Sequence, residues 1–224
     1  RDLLAYLVRR LLENGANSSF VHQLADETVG VDELLASPLG PPTPMALPLP
    51  MDLFGQRRNS CGVDLACAAM RAPLLDTIAS LRLEPVPMNP VGDVAVAMQR
   101  LQGGRSAWQA WPLAERAALL HRAADRLEER LPEYIALLVK EAHKTLGDCV
   151  AEVREAVDFC RYYADQALAR LGEQPLPGPT GESNLLRLHG RGVFVCISPW
   201  NFPLAIFAGQ VVAALVAGNT VAAQ

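Results

Sequence analysis

The last 33 residues, Gly192 to Gln224, carry no charged side chain, and the way this run is interrupted constrains the fold most. A bilayer span needs about 20 apolar residues in succession. The longest candidate, Leu204 to Ala223, contains Gly209, Gln210, Gly218 and Asn219, which favours a buried stretch over a membrane helix. "VFVCI" is a short apolar run with β-branched residues, "SPWNFP" is kept irregular by its two prolines, and "LAIFAGQVVAALVA" has helix length and ends at Gly218-Asn219 before "TVAA". The order is strand, loop, helix, turn, strand. Strands covered on both faces of a parallel sheet are expected to read as continuous apolar runs, so the fold class is α/β.

Composition excludes several partners. In 224 residues, 50% hydrophobic and 20% charged content is that of a globular chain rather than a disordered one. The net charge is −4, and the paired basics Arg9-Arg10 and Arg57-Arg58 form no basic stripe, which argues against nucleic acid as partner. Five cysteines without a C-x-x-C spacing or a histidine at ligand distance read as reduced thiols and leave no metal site. Those reduced thiols make a cytoplasmic location the expectation, and the chain shows no basic-then-apolar stretch before its first helical face.

The chain opens on "RDLLAYLVRRLL", in which Leu3, Leu4, Leu7 and Leu11 share a helical face, and "ENGANSS" stops that helix. A second short helix is expected from Val31 to Ala36. These pieces read as the end of something larger, so the chain is expected to be a fragment. "SPLGPPTPMALPLP" has six prolines and behaves as an extended spacer. Residues 51–103 show little pattern apart from a helical candidate near Leu74 to Leu81. Beyond Trp108, Leu113, Ala117, Leu120, Ala124, Leu127 and Leu131 step by four and three, the stripe of a helix against a core. Pro132 fits the first turn of the next helix, a third spans roughly Asp148 to Leu171, "EQPLPGPTGES" reads as a loop and "NLLRL" as a strand. The expected division is 1–37, 38–104 and 105–224.

"SPWNFP" lies past the carboxyl end of a strand and before a helix N-terminus, where α/β sheets place ligands. Asn201 offers a fixed amide donor of the kind an oxyanion site needs, and the adjacent helix amides favour an anion. The alternative, equally open on spacing, is that Asn201 caps the helix and Trp200 fills the core.

"CISPWNFPLAIFAGQVVAALVAGNTVAAQ" closely resembles the cofactor-loop segment of the aldehyde dehydrogenase superfamily, and "WPLAERAALLHRAADRLE" with "VREAVDFCRYYA" resembles the helical part before it. "YLVRRLLENGANSSFV" resembles the last helix of the flavin-dependent proline dehydrogenase barrel. The two occur together in the bifunctional proline utilization A flavoproteins, whose junction also reads much like "RRNSCGVDL". The resemblance implies the tip of a proline dehydrogenase (βα)8 barrel, a Pro-rich linker, and the N-terminal helical and βαβ part of an aldehyde dehydrogenase fold. It implies oxidation of proline with FAD and of glutamate semialdehyde with NAD, in a homo-oligomeric parent with room for peripheral membrane association.

Residue by residue, the resemblance assigns Arg9 and Arg10 to the proline carboxylate and Tyr6 to its ring, on one helix face; planar guanidinium forks suit a carboxylate. It assigns the backbone of Ile197, Ser198, Pro199 and Trp200 to the nicotinamide cofactor, Gln224 to its ribose, and Asn201 to the oxyanion. The family's nucleophilic Cys and general base Glu fall beyond position 224, so none of the five cysteines is promoted and the fragment alone is expected to be inactive. Gln224 stands where the family has Lys, and His143 where it has Gly, so a left-handed turn at His143 would cost roughly 1 kcal/mol. A non-catalytic remnant or partner-binding module is the alternative class.

Overall fold

The computed structural model describes Val8 and residues 20–36, 48–85 and 92–224. The chain divides into two units, residues 1–47 and 48–224. In the first, α1 (Phe20–Ala25) and α2 (Val31–Leu34) are joined by a turn in which Thr28 donates through its amide and hydroxyl to Asp26 Oδ1, at 2.9 and 2.7 Å. The expected helix at Val31 is therefore present but shorter, and α1 was not legible in the sequence. Within the expected opening helix Val8 is described, helical and exposed, and the other residues of that helix and the Pro-rich run from Pro38 to Pro44 lie outside the described residues.

The second unit begins with a single 3-10 turn, Pro50–Asp52, and an extended segment that docks on the helices behind it. Then follow α3 (Ala68–Ser80), α4 (Val94–Ala110), α5 (Leu113–Glu129), α6 (Leu131–Glu141) and α7 (Leu146–Arg170). Helix α3 is longer than the candidate near Leu74, and α4 falls where no pattern was visible.

Helix α7 is the spine of this unit and packs against α5 and α6. Thr145 starts it, accepting from the Asp148 amide at 3.3 Å while its hydroxyl donates to Asp148 Oδ2 at 2.6 Å, a reciprocal cap worth roughly 1 kcal/mol. Its buried stripe, Cys149, Val153, Ala156, Val157, Cys160, Ala164 and Ala167, keeps the helical period. The alanines among them, with Ala117 and Ala124 of α5, let the two helices approach closely.

Beyond α7 the chain forms β1 (Gln174–Leu176) and β2 (Asn184–Leu186), an antiparallel pair in which Gln174 faces Leu186. Strand β1 corrects the reading of "EQPLPGPTGES" as loop throughout: Pro175 is tolerated because the ladder is two strands wide and leaves an edge free. Then β3 (Val193–Cys196), α8 (Ala205–Val216) and β4 (Thr220–Ala223) make the expected strand–helix–strand unit, with β3 and β4 parallel and Val193 opposite Thr220. Gly218, at φ +87°, makes the turn out of α8. Helix α8 lies against α7, where a Cβ on Gly209 would sit 2.9 Å from the Phe159 ring.

The strand expected to be covered on both faces is open in this chain. Cys196 is buried, whereas Phe194 and Val195 are exposed. Among the described residues no helix is long and apolar enough to cross a membrane.

Candidate functional site

The loop from Ile197 to Leu204 leaves the carboxyl end of β3 and enters α8. Its start is tied to the end of β4: the Ser198 amide and hydroxyl both donate to the Gln224 carbonyl, at 3.0 and 3.2 Å, and the Gln224 amide donates to Cys196 O at 2.9 Å. This brings Ile197, Ser198, Pro199, Trp200 and Gln224 to one end of the parallel pair, with Trp200 84% exposed. Trp200 therefore does not fill the core.

The end of the loop is held from below by α7. Glu152, 1% exposed, accepts from the amides of Leu204 at 2.8 Å and Ala205 at 3.3 Å. It also pairs with Lys144, whose ammonium donates to the carbonyl of Asn201 at 2.9 Å and lies 4.3 Å from the centre of the Phe202 ring. A buried carboxylate is tolerable when its lone pairs are met by amides and a cation, and here they are.

This arrangement corrects two sequence expectations. The residue that caps α8 is Leu204, which gives no side-chain bond, so Asn201 is not the cap. The amides of Leu204 and Ala205, expected to favour an anion, are already taken by Glu152. The side-chain amide of Asn201 is exposed and bonded to none of the described residues. It borders an open cleft of about 340 Å³ with Trp200, Phe202, Asp148 and Glu155.

Lys144 reaches this loop by way of a left-handed residue. His143, at φ +52°, is the one non-glycine residue with positive φ among the described residues. It turns the chain between α6 and α7 and aims Lys144 under the loop. Neither Lys144 nor Glu152 was singled out in the sequence, although a glutamate inside the stripe Cys149, Val153, Ala156 was a visible signal that a charge is buried there.

The thiols are distinct from this site. Burial pushes Cys149 and Cys160 up to about 11, and Cys196 upward as well, so all three stay protonated near neutrality and are poor nucleophiles. Among the described residues no group of three or more His, Cys, Asp and Glu side chains could hold a metal ion. Tyr6, Arg9 and Arg10 lie outside the described residues.

The aldehyde dehydrogenase family matches residues 77–224 and the proline dehydrogenase family residues 1–23. The bifunctional protein PutA of Escherichia coli (strain K12) is 42% identical over 99% of this chain, which covers 19% of that protein. 1-Pyrroline-5-carboxylate dehydrogenase 2 of Bacillus subtilis is 43% identical over 56% of the chain and 25% of its own length. A crystal structure of Bradyrhizobium japonicum proline utilization A, the mutant D779Y, is 50% identical with TM-score 0.76 over 99% of this chain and 23% of that one. The chain thus spans about a fifth of the curated PutA relatives. With residues 1–23 in the proline dehydrogenase family and residues 77–224 in the other, the sequence spans the junction of the two enzyme portions of PutA, and the chain belongs to the aldehyde dehydrogenase family.

Proposed function

We propose that this chain contributes to a bifunctional proline catabolic oxidoreductase, which oxidises proline to pyrroline-5-carboxylate with FAD and glutamate semialdehyde to glutamate with NAD. The observation that carries this reading is the free side-chain amide of Asn201 on a loop fixed at both ends. A donor held before charge develops is worth far more than one that must reorganise, so Asn201 serves as an oxyanion donor to the aldehyde oxygen. The loop of Ile197, Ser198, Pro199 and Trp200, in which Ile197 and Trp200 are exposed, with Gln224 beside it, is a fit ledge for NAD at the carboxyl end of a parallel pair. NAD supplies a hydride acceptor when bound; the residues named here bind and orient.

The finer parts of the proposal rest on the family. Arg9 and Arg10 grip the proline carboxylate with Tyr6 at the ring, at the tip of a (βα)8 barrel over FAD. The domains divide as 1–37, 38–104 as linker and junction, and 105–224. Homo-oligomerisation is supported by the exposed Leu176, Leu185 and Leu186 of the β1–β2 hairpin, and peripheral membrane association rests on the family alone.

The test is made in a full-length bifunctional polypeptide carrying this segment. Asn201→Ala should lower kcat for semialdehyde oxidation roughly 10²- to 10³-fold and leave proline oxidation unchanged. Arg10→Met should raise the KM for proline without touching the second step. Loss of both activities with the melting temperature in Asn201→Ala would return Asn201 to a structural role.

A further inference from the structure

We propose that Lys144 and Glu152 are the positioning residues of the Asn201 donor: an ion pair between the buried Glu152 of α7 and the half-buried Lys144 of the turn before it, which clamps the loop on either side of that side chain. This rests on the reading of Asn201 given above. Lys144 holds the Asn201 carbonyl at 2.9 Å and underlies the Phe202 ring, while Glu152 holds the amides of Leu204 and Ala205. Pro199 and Pro203 fix φ at two more positions of the same segment. The constraints on the backbone run from residue 198 to residue 205, and the side-chain amide of Asn201 is left clear of them.

Stability alone does not call for this design. A serine or aspartate at position 204 would satisfy the first amides of α8 locally, yet that position is Leu, and the acceptor comes from another helix. A buried ion pair is often matched or bettered by apolar residues of similar volume. What the pair adds is geometry. It ties the loop to the most deeply packed helix of the unit, so the donor is registered against α7 rather than against its own short helix.

The consequence is a residue that acts through another. In the full-length polypeptide, Lys144→Met should lower kcat for semialdehyde oxidation roughly 10- to 100-fold, the scale of a displacement near 1 Å. NAD affinity and proline oxidation should stay within twofold, and Lys144→Arg should recover most of the rate. Because Lys144 works through Asn201, the double variant Lys144→Met/Asn201→Ala should be no slower than Asn201→Ala alone. If Lys144→Met does not fold, the same cycle with Glu152→Gln decides, since a glutamine still accepts from the Leu204 amide and removes only the charge.

Two results overturn the proposal. One is a lowered melting temperature with unchanged kcat in the folded fraction, which makes the pair purely structural. The other is rate losses that multiply in the double variant, which means Lys144 acts elsewhere. An Asn201→Ala variant with full activity sinks the functional reading instead, so the two failures are told apart.

Discussion

Nε of Arg116 donates at 3.1 Å to the carbonyl of Val216, the last residue of α8, from 100 residues earlier in the chain. Nη1 of the same guanidinium reaches the carbonyls of Trp108, Gln109 and Trp111, at 3.3, 3.0 and 3.0 Å. Arg116 is buried, and burial lowers its pKa below the ordinary value. One cation therefore caps the C-terminal ends of α4 and α8 together, where carbonyls lack partners and the dipole is negative. Arg116→Met should cost about 3 kcal/mol, because it strips charge-assisted bonds from the buried Val216 carbonyl and from the half-buried end of α4. Arg116→Lys should lose less, keeping the charge without the fork. Urea unfolding of the two variants checks the order; equal losses would mean that the charge, not the fork, holds α8.

Arg161, buried in α7, makes a two-pronged bond to Glu128, with Nη2 to Oε2 at 2.7 Å and Nη1 to Oε1 at 3.2 Å, and reaches Asp125 Oδ1 at 3.0 Å. Burial by itself would raise the Glu128 carboxyl. Arg161, the Cys61 amide at 2.8 Å and Arg58 outweigh it and hold the carboxyl below its ordinary 4.5. A depressed folded pKa means that the unfolded chain binds more protons in acid. The contribution is complete above about pH 4.5 and is lost as the pH falls through the folded value. The urea midpoint should thus hold steady from neutral pH down to that region and then fall, and Glu128→Gln should flatten the fall while lowering the neutral midpoint. Parallel acid limbs in the two proteins would remove Glu128 from the account. Because the same carboxylate accepts from Cys61, its protonation also loosens the segment that docks residues 57–62.

His143 at φ +52° carries strain that a glycine would not. A left-handed conformation costs an L-residue roughly 1–2 kcal/mol, so His143→Gly should raise stability by about 1 kcal/mol after the added entropy of the unfolded glycine is subtracted. His143→Val should do the reverse, since β-branching makes positive φ worse. Chemical denaturation of the three proteins gives the order Gly, His, Val, and any other order would place the strain elsewhere.

How much of this was legible depends on the kind of signal. Helices α5, α6 and α7 announce themselves because apolar residues recur at three and four, and Pro132 marks a first turn. Helix α4 does not, because none of its residues is buried. Part of what holds it is polar: Arg105 donates to Gly190 O at 2.8 Å and Trp108 Nε1 to Leu215 O at 2.8 Å, and no hydrophobic period reports such bonds. At the site, the two prolines and the place between strand and helix made "SPWNFP" visible. The clamp beneath it was not, because Glu152 and Leu204 are 52 residues apart and only folding brings them together.

Two asparagines of the same strand–helix–strand unit offer the sharpest contrast. Asn219 is buried; its Oδ1 accepts from the Gly192 amide at 3.0 Å and its Nδ2 donates to Ala214 O at 3.0 Å. It thereby ties the start of β3 to the last turn of α8 and sets the register in which Val193 faces Thr220. Asn219→Ala would leave the Gly192 amide without its partner, while the Ala214 carbonyl keeps the backbone amide of residue 219 at 3.2 Å, and should cost roughly 1–3 kcal/mol for the one orphan. Asn219→Asp should cost no less, because an oxygen would then face the Ala214 carbonyl. Asn201, exposed and unbonded through its side chain, should tolerate alanine within about 0.5 kcal/mol. Thermal melts of Asn201→Ala and Asn219→Ala, beside semialdehyde oxidation in the full-length polypeptide, separate the roles: the first should lose rate and keep stability, the second should lose stability first. Equal melting losses in the two would make Asn201 another structural tie, and the loop's constraints would then serve the fold rather than a reacting oxygen.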